Sequence, residues 1–202
     1  MLPGPLVFVD IDTQRDFLEP TGALYVSGSE AILDNLRRLT EFARSHGVPI
    51  LASACAHTEE DVEEIARFGR HCMVGSPGQA RSEATRWEHG TILGSAEVDF
   101  AAEEALPAHL TLEKRDYDVF THPGADRVIA RYNRDHPTFV VYGVATDFCV
   151  RAAVLGLLHR DCRVAVVVDA IRAIDGDHEA DVLAEFVGAG ALLTTTDVVT
   201  TP

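Results

Sequence analysis

Short apolar runs alternate with amphipathic segments along almost the whole chain. Leu6 to Asp12 (LVFVDID) is an apolar run that ends in carboxylates. From Ser29 to His46, residues Ile32, Leu33, Leu36, Leu39, Phe42 and Ala43 recur at helical spacing. Ser29 stands as a candidate N-cap and Gly47 where a C-terminal glycine belongs. Val48 to Ala54 (VPILASA) reads as a second strand. Regular patterning then stops from Cys55 to about Pro107, a stretch rich in Gly, Ser, Glu and His. It returns with a short strand, Thr111 to Lys114, a helix over 124–134, the run Thr138 to Val144 (TFVVYGV) and a helix over 147–160. A strand from Arg163 to Val168, a helix over 177–189 and a last strand, Ala191 to Thr194, complete the pattern. Apolar strands alternating with amphipathic helices predict a mostly parallel six-stranded sheet covered on both faces: one α/β domain over 1–202, a three-layer α/β/α sandwich.

Composition narrows the class without naming a function. At 202 residues, 47% hydrophobic and 24% charged, the chain is that of an ordinary globular domain. Its net charge of −15, with no Lys/Arg run, argues against a nucleic-acid partner, which needs a basic footprint. No apolar stretch reaches the length of a membrane span, and Met1 to Pro5 lacks the features of a signal peptide. The expectation is a cytoplasmic protein with neither membrane nor nucleic acid as partner. Cys55, Cys72, Cys149 and Cys162 form no CxxC pair, so in a reducing compartment each is core filler, ligand or nucleophile.

In parallel sheets the working residues gather where strands end and helices begin. Three segments qualify: Asp10 and Asp12, Cys55 to His71, and Gly143 to Cys149. Cys149 follows a strand and falls near the start of the next helix, where the helix dipole would lower a thiol pKa and favour a nucleophilic thiolate. A lone cysteine is more often simply packed in a core. Lys114 ends a strand and is the single lysine among 17 basic residues, so a compact ammonium is retained there while arginine serves everywhere else. Asp10 and Asp12 could supply a base for the thiol, or could be turn and cap ligands. Sequence position alone does not say whether these groups meet.

Two motifs bring in a resemblance. Asp12-Thr13-Gln14-Arg15-Asp16-Phe17 (D-x-Q-x-D-F after an apolar strand) resembles the opening motif of the isochorismatase-like cysteine hydrolases. Gly143-Val144-Ala145-Thr146-Asp147-Phe148-Cys149-Val150 resembles their nucleophile motif, G-[VI]-A-T-D-x-C-V. The resemblance runs through the chain and implies the isochorismatase-like hydrolase fold with a catalytic triad at Asp12, Lys114 and Cys149, leaving Asp10 in support. It also implies a cis peptide at Val144–Ala145, with the backbone N–H groups of Ala145 and Cys149 as oxyanion donors. The implied reaction is hydrolysis of a small-molecule amide through a thioester on Cys149, and relatives are commonly homo-oligomers.

Within that family the chain is most similar to the nicotinamidases. Their metal site uses an Asp-x-His pair, a ligand about six residues on, and a His before a Cys. The matching positions are His57, Glu63 and His71, the last in His71-Cys72-Met73-Val74-Gly75-Ser76-Pro77-Gly78. Cys55 occupies the Asp position, a departure that makes it a fourth candidate ligand and turns the preference toward zinc over manganese or iron. Phe17 and Phe68 match the aromatic positions that flank a substrate ring; either could instead fill core. Trp87 falls in the irregular stretch and has no assigned place. The alternative that Cys55 favours is a metal-free relative acting on another small amide, carbamoyl or ureido compound. Vinyl-ether hydrolysis does not need a thiol, so Cys149 with Lys114 argues against it. A non-enzymatic scaffold would not need the triad, and a redox-sensor role lacks a resolving cysteine evident in sequence.

Overall fold

The computed structural model describes residues 2–96 and 106–201. Among these residues, seven parallel strands form one sheet: β1 (Leu6–Ile11), β2 (Ile50–Cys55), β3 (Thr91–Leu93), β4 (His109–Lys114), β5 (Thr138–Val144), β6 (Arg163–Arg172) and β7 (Leu192–Thr194). Their spatial order is β3-β4-β2-β1-β5-β6-β7. The expected six strands are thus corrected to seven. The additional strand, β3, lies at the sheet edge inside the stretch read as irregular; with only three residues, two of them exposed, it carries no usable apolar alternation. That stretch also holds a helix and two 3-10 turns, so it is not structureless.

The principal helices are α1 (Leu33–His46), α2 (Val62–Phe68), α3 (Ala125–Tyr132), α4 (Arg151–Leu158) and α5 (Glu179–Gly188). Leu36, Leu39 and Ala43 of α1 pack with Phe8, Ile50, Val140 and Tyr142 on one sheet face. Val128, Ile129, Val154 and Leu157 pack with Val7, Val9, Leu110 and Val141 on the other. Alternation along β1 sends its odd and even residues to opposite layers, which makes the sheet the middle of three. Gly47 closes α1 in the left-handed conformation, φ 67. Ser29, in contrast, does not cap it. A 3-10 turn, Ser29–Ile32, precedes the helix, and the Ser29 hydroxyl donates to the carbonyls of Phe17 and Leu18.

Strand order reverses at β1: β2, β4 and β3 lie on one side of it, β5, β6 and β7 on the other. Such a switch point opens a crevice at the carboxyl ends of the central strands. Register brings those ends level, with Ile11 beside Ser53 and Gly143, and Cys55 beside Lys114. Gly143 allows the closest of these approaches. Its φ is 115, and a Cβ there would lie 2.0 Å from the Ile11 carbonyl oxygen. Among the described residues, no helix is long and apolar enough to cross a membrane.

Candidate active site

The crevice collects Asp12, Ser53, Cys55, Lys114 and Cys149. Asp12 follows β1 with φ 49, a left-handed turn out of the strand that Asp adopts more readily than most residues. Its Oδ2 lies 2.8 Å from Lys114 Nζ, and its Oδ1 accepts a hydrogen bond from Ser53 Oγ at 2.6 Å. Lys114 Nζ also donates to the Asp116 carbonyl (3.0 Å), Cys55 Sγ (3.2 Å) and Cys149 Sγ (3.7 Å). Sequence reasoning missed Ser53. Its signal was a polar residue in an otherwise apolar strand, paired in register beside the end of β1.

Burial dominates the electrostatics. Asp12 is wholly buried and Lys114 nearly so. Burial pulls the ammonium toward neutrality, but Asp12 and the two sulfurs outweigh it and hold the Lys114 pKa well above its usual value. For Cys149, burial and the Asp12 carboxylate push the thiol well up, against the pull of Lys114. The lowering expected from a helix dipole meets an opposing effect: Cys149 lies in a π turn, Thr146–Val150, before α4 begins, and its burial raises the thiol. Asp12, the Lys114 ammonium and the Cys149 sulfur thus meet in one buried cluster. The peptide Val144–Ala145 is cis.

Three residues of the opening motif have distinct mechanical roles. Asp12 reaches the ammonium. Gln14 accepts from the Cys55 N–H (2.7 Å) and donates to the carbonyls of Cys55 and Gln79 (both 2.8 Å), tying the end of β2 to the insert. Asp16 accepts from the N–H groups of Cys72 (2.7 Å) and Ala23 (3.0 Å). Asp10 stays outside the cluster, paired with Arg81 and accepting from Thr13 Oγ1 at 2.8 Å. Burial raises its pKa, opposed mainly by Arg81.

The insert folds back so that His57 bridges to Met73, which carries His71 next to it; the two imidazole centroids are 4.5 Å apart. One ligand atom each from Cys55, His57 and His71 lies within 4.8 Å of the others. Both His57 ring nitrogens are buried without a hydrogen-bond partner among the described residues. A buried imidazole so orphaned, beside a second imidazole and a sulfur, fits a divalent metal. Glu63 does not join this group: it is exposed on α2, and the next residue, Glu64, turns inward and is half-buried. Glu63 was placed by the family spacing alone, and here it sits in the first turn of α2 (Val62–Phe68).

Beside the sulfurs is a narrow apolar pocket lined by Phe17, Phe68, Tyr117, Phe148 and Ile174, with Glu64 and His71 as polar walls. Phe17 and Phe68 lie 5.5 and 6.4 Å from the His71 ring, and Phe68 meets Phe148 edge-on at 5.4 Å. Tyr117 and Phe148 were not foreseen, although both follow strand ends at the same rim. Trp87 is remote from this pocket and stacks on His109 at 5.3 Å.

The isochorismatase domain model matches residues 6–198. The nicotinamidase of Escherichia coli is 26% identical, with 96% of each chain covered. The crystal structure of N-carbamoylsarcosine amidase from Thermoplasma acidophilum superposes with a TM-score of 0.74 at 26% identity, covering 96% of this chain and 97% of that one. That of Pyrococcus horikoshii pyrazinamidase in complex with zinc gives 0.74 at 23% identity, covering 94% and 98%.

Proposed function

The chain belongs to the isochorismatase domain family, and from that premise we propose that it is a cysteine amidohydrolase converting nicotinamide and water to nicotinate and ammonia. The observation that carries this reading is the single lysine lodged between Asp12 at 2.8 Å and Cys149 Sγ at 3.7 Å, in a buried crevice. A charged pair in such a setting needs a reason beyond stability, because burying it is seldom favourable on its own.

Each residue then has a task. The substrate ring enters the aromatic pocket, which brings its carboxamide carbon to Cys149. Asp12 takes the thiol proton as the sulfur attacks, and the Lys114 ammonium offsets the negative charge left on sulfur. The N–H groups of Ala145 and Cys149 receive the oxyanion. When it collapses, Asp12 passes the proton to the departing nitrogen, and ammonia leaves a thioester on Cys149. Asp12 then deprotonates the water that releases nicotinate and restores the thiol. A raised resting thiol pKa suits this order, since proton transfer accompanies attack rather than preceding it. A divalent metal held by His57 and His71 would supply a positive point for the ring nitrogen of the substrate.

A second reading, a metal-free hydrolase of another carbamoyl or ureido compound, is supported by Cys55 in the position that resembles a family Asp. The N-carbamoylsarcosine amidase relative at 26% identity is compatible with it. An ammonia-release assay over nicotinamide, pyrazinamide, carbamoyl and ureido compounds, with and without chelator, separates the two. Chelator-sensitive turnover of nicotinamide is expected. Turnover confined to carbamoyl compounds and indifferent to chelator would replace the first reading with the second.

A further inference from the structure

We propose that Cys55 is a thiolate ligand, which makes the metal position a sulfur–imidazole–imidazole site selective for thiophilic divalent ions such as zinc and cobalt over manganese. The inference rests on the reading that a metal occupies the corner formed by Cys55, His57 and His71, and it specifies that metal's chemistry.

His71 Nδ1 lies 2.9 Å from the Gly69 carbonyl oxygen. A carbonyl only accepts, so Nδ1 carries the proton and Nε2 keeps its lone pair, the arrangement that orients metal-ligating histidines. His57 has no hydrogen-bond partner for either nitrogen among the described residues, and Asp61 Oδ2 stands 3.6 Å from its Nδ1. That carboxylate is itself held by the Thr58 N–H (2.7 Å) and Arg115 Nε (2.6 Å). It is therefore a fixed orienting group for one side of the ring, leaving the other side free to ligate.

Cys55 supplies the third donor. It is buried at the end of β2 and pinned there by both backbone hydrogen bonds to Gln14, so its sulfur is positioned by the sheet rather than by a loop. A merely packed cysteine would be surrounded by hydrocarbon. Cys55 Sγ instead lies within 4.8 Å of imidazole nitrogens, 3.2 Å from the Lys114 ammonium and 3.8 Å from Asp12 Oδ2. Without a cation, a thiolate there would face the carboxylate. With a dication on the imidazoles, the thiol proton is released to solvent on binding and the ammonium becomes a hydrogen-bond donor to the ligating sulfur. Cys55 and His71 also line the substrate pocket, so an ion held by them would face it. One soft sulfur and two imidazoles suit zinc and cobalt, whereas manganese favours oxygen donors.

Cobalt titration of the chelator-treated, full-length protein tests this, because a cobalt–thiolate bond gives a near-ultraviolet charge-transfer band that imidazole and carboxylate ligands do not. The band is expected in the wild type and in Cys149→Ser, and absent in Cys55→Ser. Cys55→Asp should still bind manganese and should narrow the zinc-over-manganese affinity ratio by roughly tenfold or more. A wild-type cobalt complex without the band overturns the proposal, as does a band that survives Cys55→Ser or is lost with Cys149→Ser. Circular dichroism identifies any variant that fails to fold, and Cys55→Asp, which replaces one ligand by another, keeps the test decisive if Cys55→Ser does fail. Chelator-sensitive nicotinamide turnover with no sulfur–cobalt band would sink this inference alone. A band without any amide hydrolysis would sink the proposed reaction and leave the ligand assignment standing.

Discussion

Strand β4 buries an ionisable side chain at each end, and the protein treats the two in opposite ways. At its carboxyl end Lys114 is 1% exposed and meets Asp12, the Asp116 carbonyl and two sulfurs. At its amino end His109 is 3% exposed and lies against Trp87, over which Arg44 sits at 4.9 Å. Neither His109 ring nitrogen has a hydrogen-bond partner among the described residues. Burial pulls both groups toward their neutral forms. Countercharges reverse that at Lys114, while at His109 burial, helped by Arg81, lowers the pKa to about 3. A buried ionisable residue thus marks a site only where complementary groups converge on it; elsewhere it is packing. His57 shows the intermediate case, orphaned like His109 but adjoined by a sulfur and a second imidazole.

That contrast can be broken from either end. Lys114→Ala should have the larger effect. It removes the counter-ion of a wholly buried carboxylate, so urea denaturation should reveal a loss of about 3–5 kcal/mol. Ammonia release should fall by about 10³-fold or more even where the protein remains folded. Lys114→Arg, which keeps the charge but not the compact head, should lose most of the activity as well. Near-normal turnover in either variant would make the carboxyl end of β4 no more a site than its amino end.

His109→Phe should leave turnover near neutral pH little changed and act on acid stability. The native state keeps His109 neutral to about pH 3, while the unfolded chain binds a proton below about pH 6.5. A lowered histidine pKa therefore leaves stability intact above that unfolded value and erodes it as pH falls from about 6.5 toward about 3. The phenylalanine variant should show a shallower loss of stability across that window, by chemical denaturation at successive pH values. An unchanged acid slope would mean that His109 is not the buried neutral group described.

Much of the fold is readable in the sequence. Continuous apolar runs with clean boundaries set β5 at Thr138–Val144 as expected, and alternation of strand and helix gave the layered class. Asp12, Lys114 and Cys149 were legible because each lies at or shortly after a strand end and because one lysine stands among arginines, whereas Ser53, within β2, was not. What was hidden depended on three-dimensional context. The edge strand β3 has too few residues for a period, and α2 rotates Glu64 rather than Glu63 toward the pocket. The thiol pKa could not be read from position either, since the depth of burial around Cys149 decides its sign. Gln14 and Asp16 stood in plain view within a motif, yet their work is to hold backbone from a distant segment.

The proposed reaction turns on covalent chemistry at one sulfur. Rapid acid quenching of the enzyme during nicotinamide turnover, followed by mass spectrometry of its peptides, reads that directly. A nicotinoyl adduct on the peptide containing Cys149, absent from Cys149→Ala together with ammonia release, is the expected result. Undiminished ammonia release from Cys149→Ala, with no acylated peptide in either protein, would contradict it.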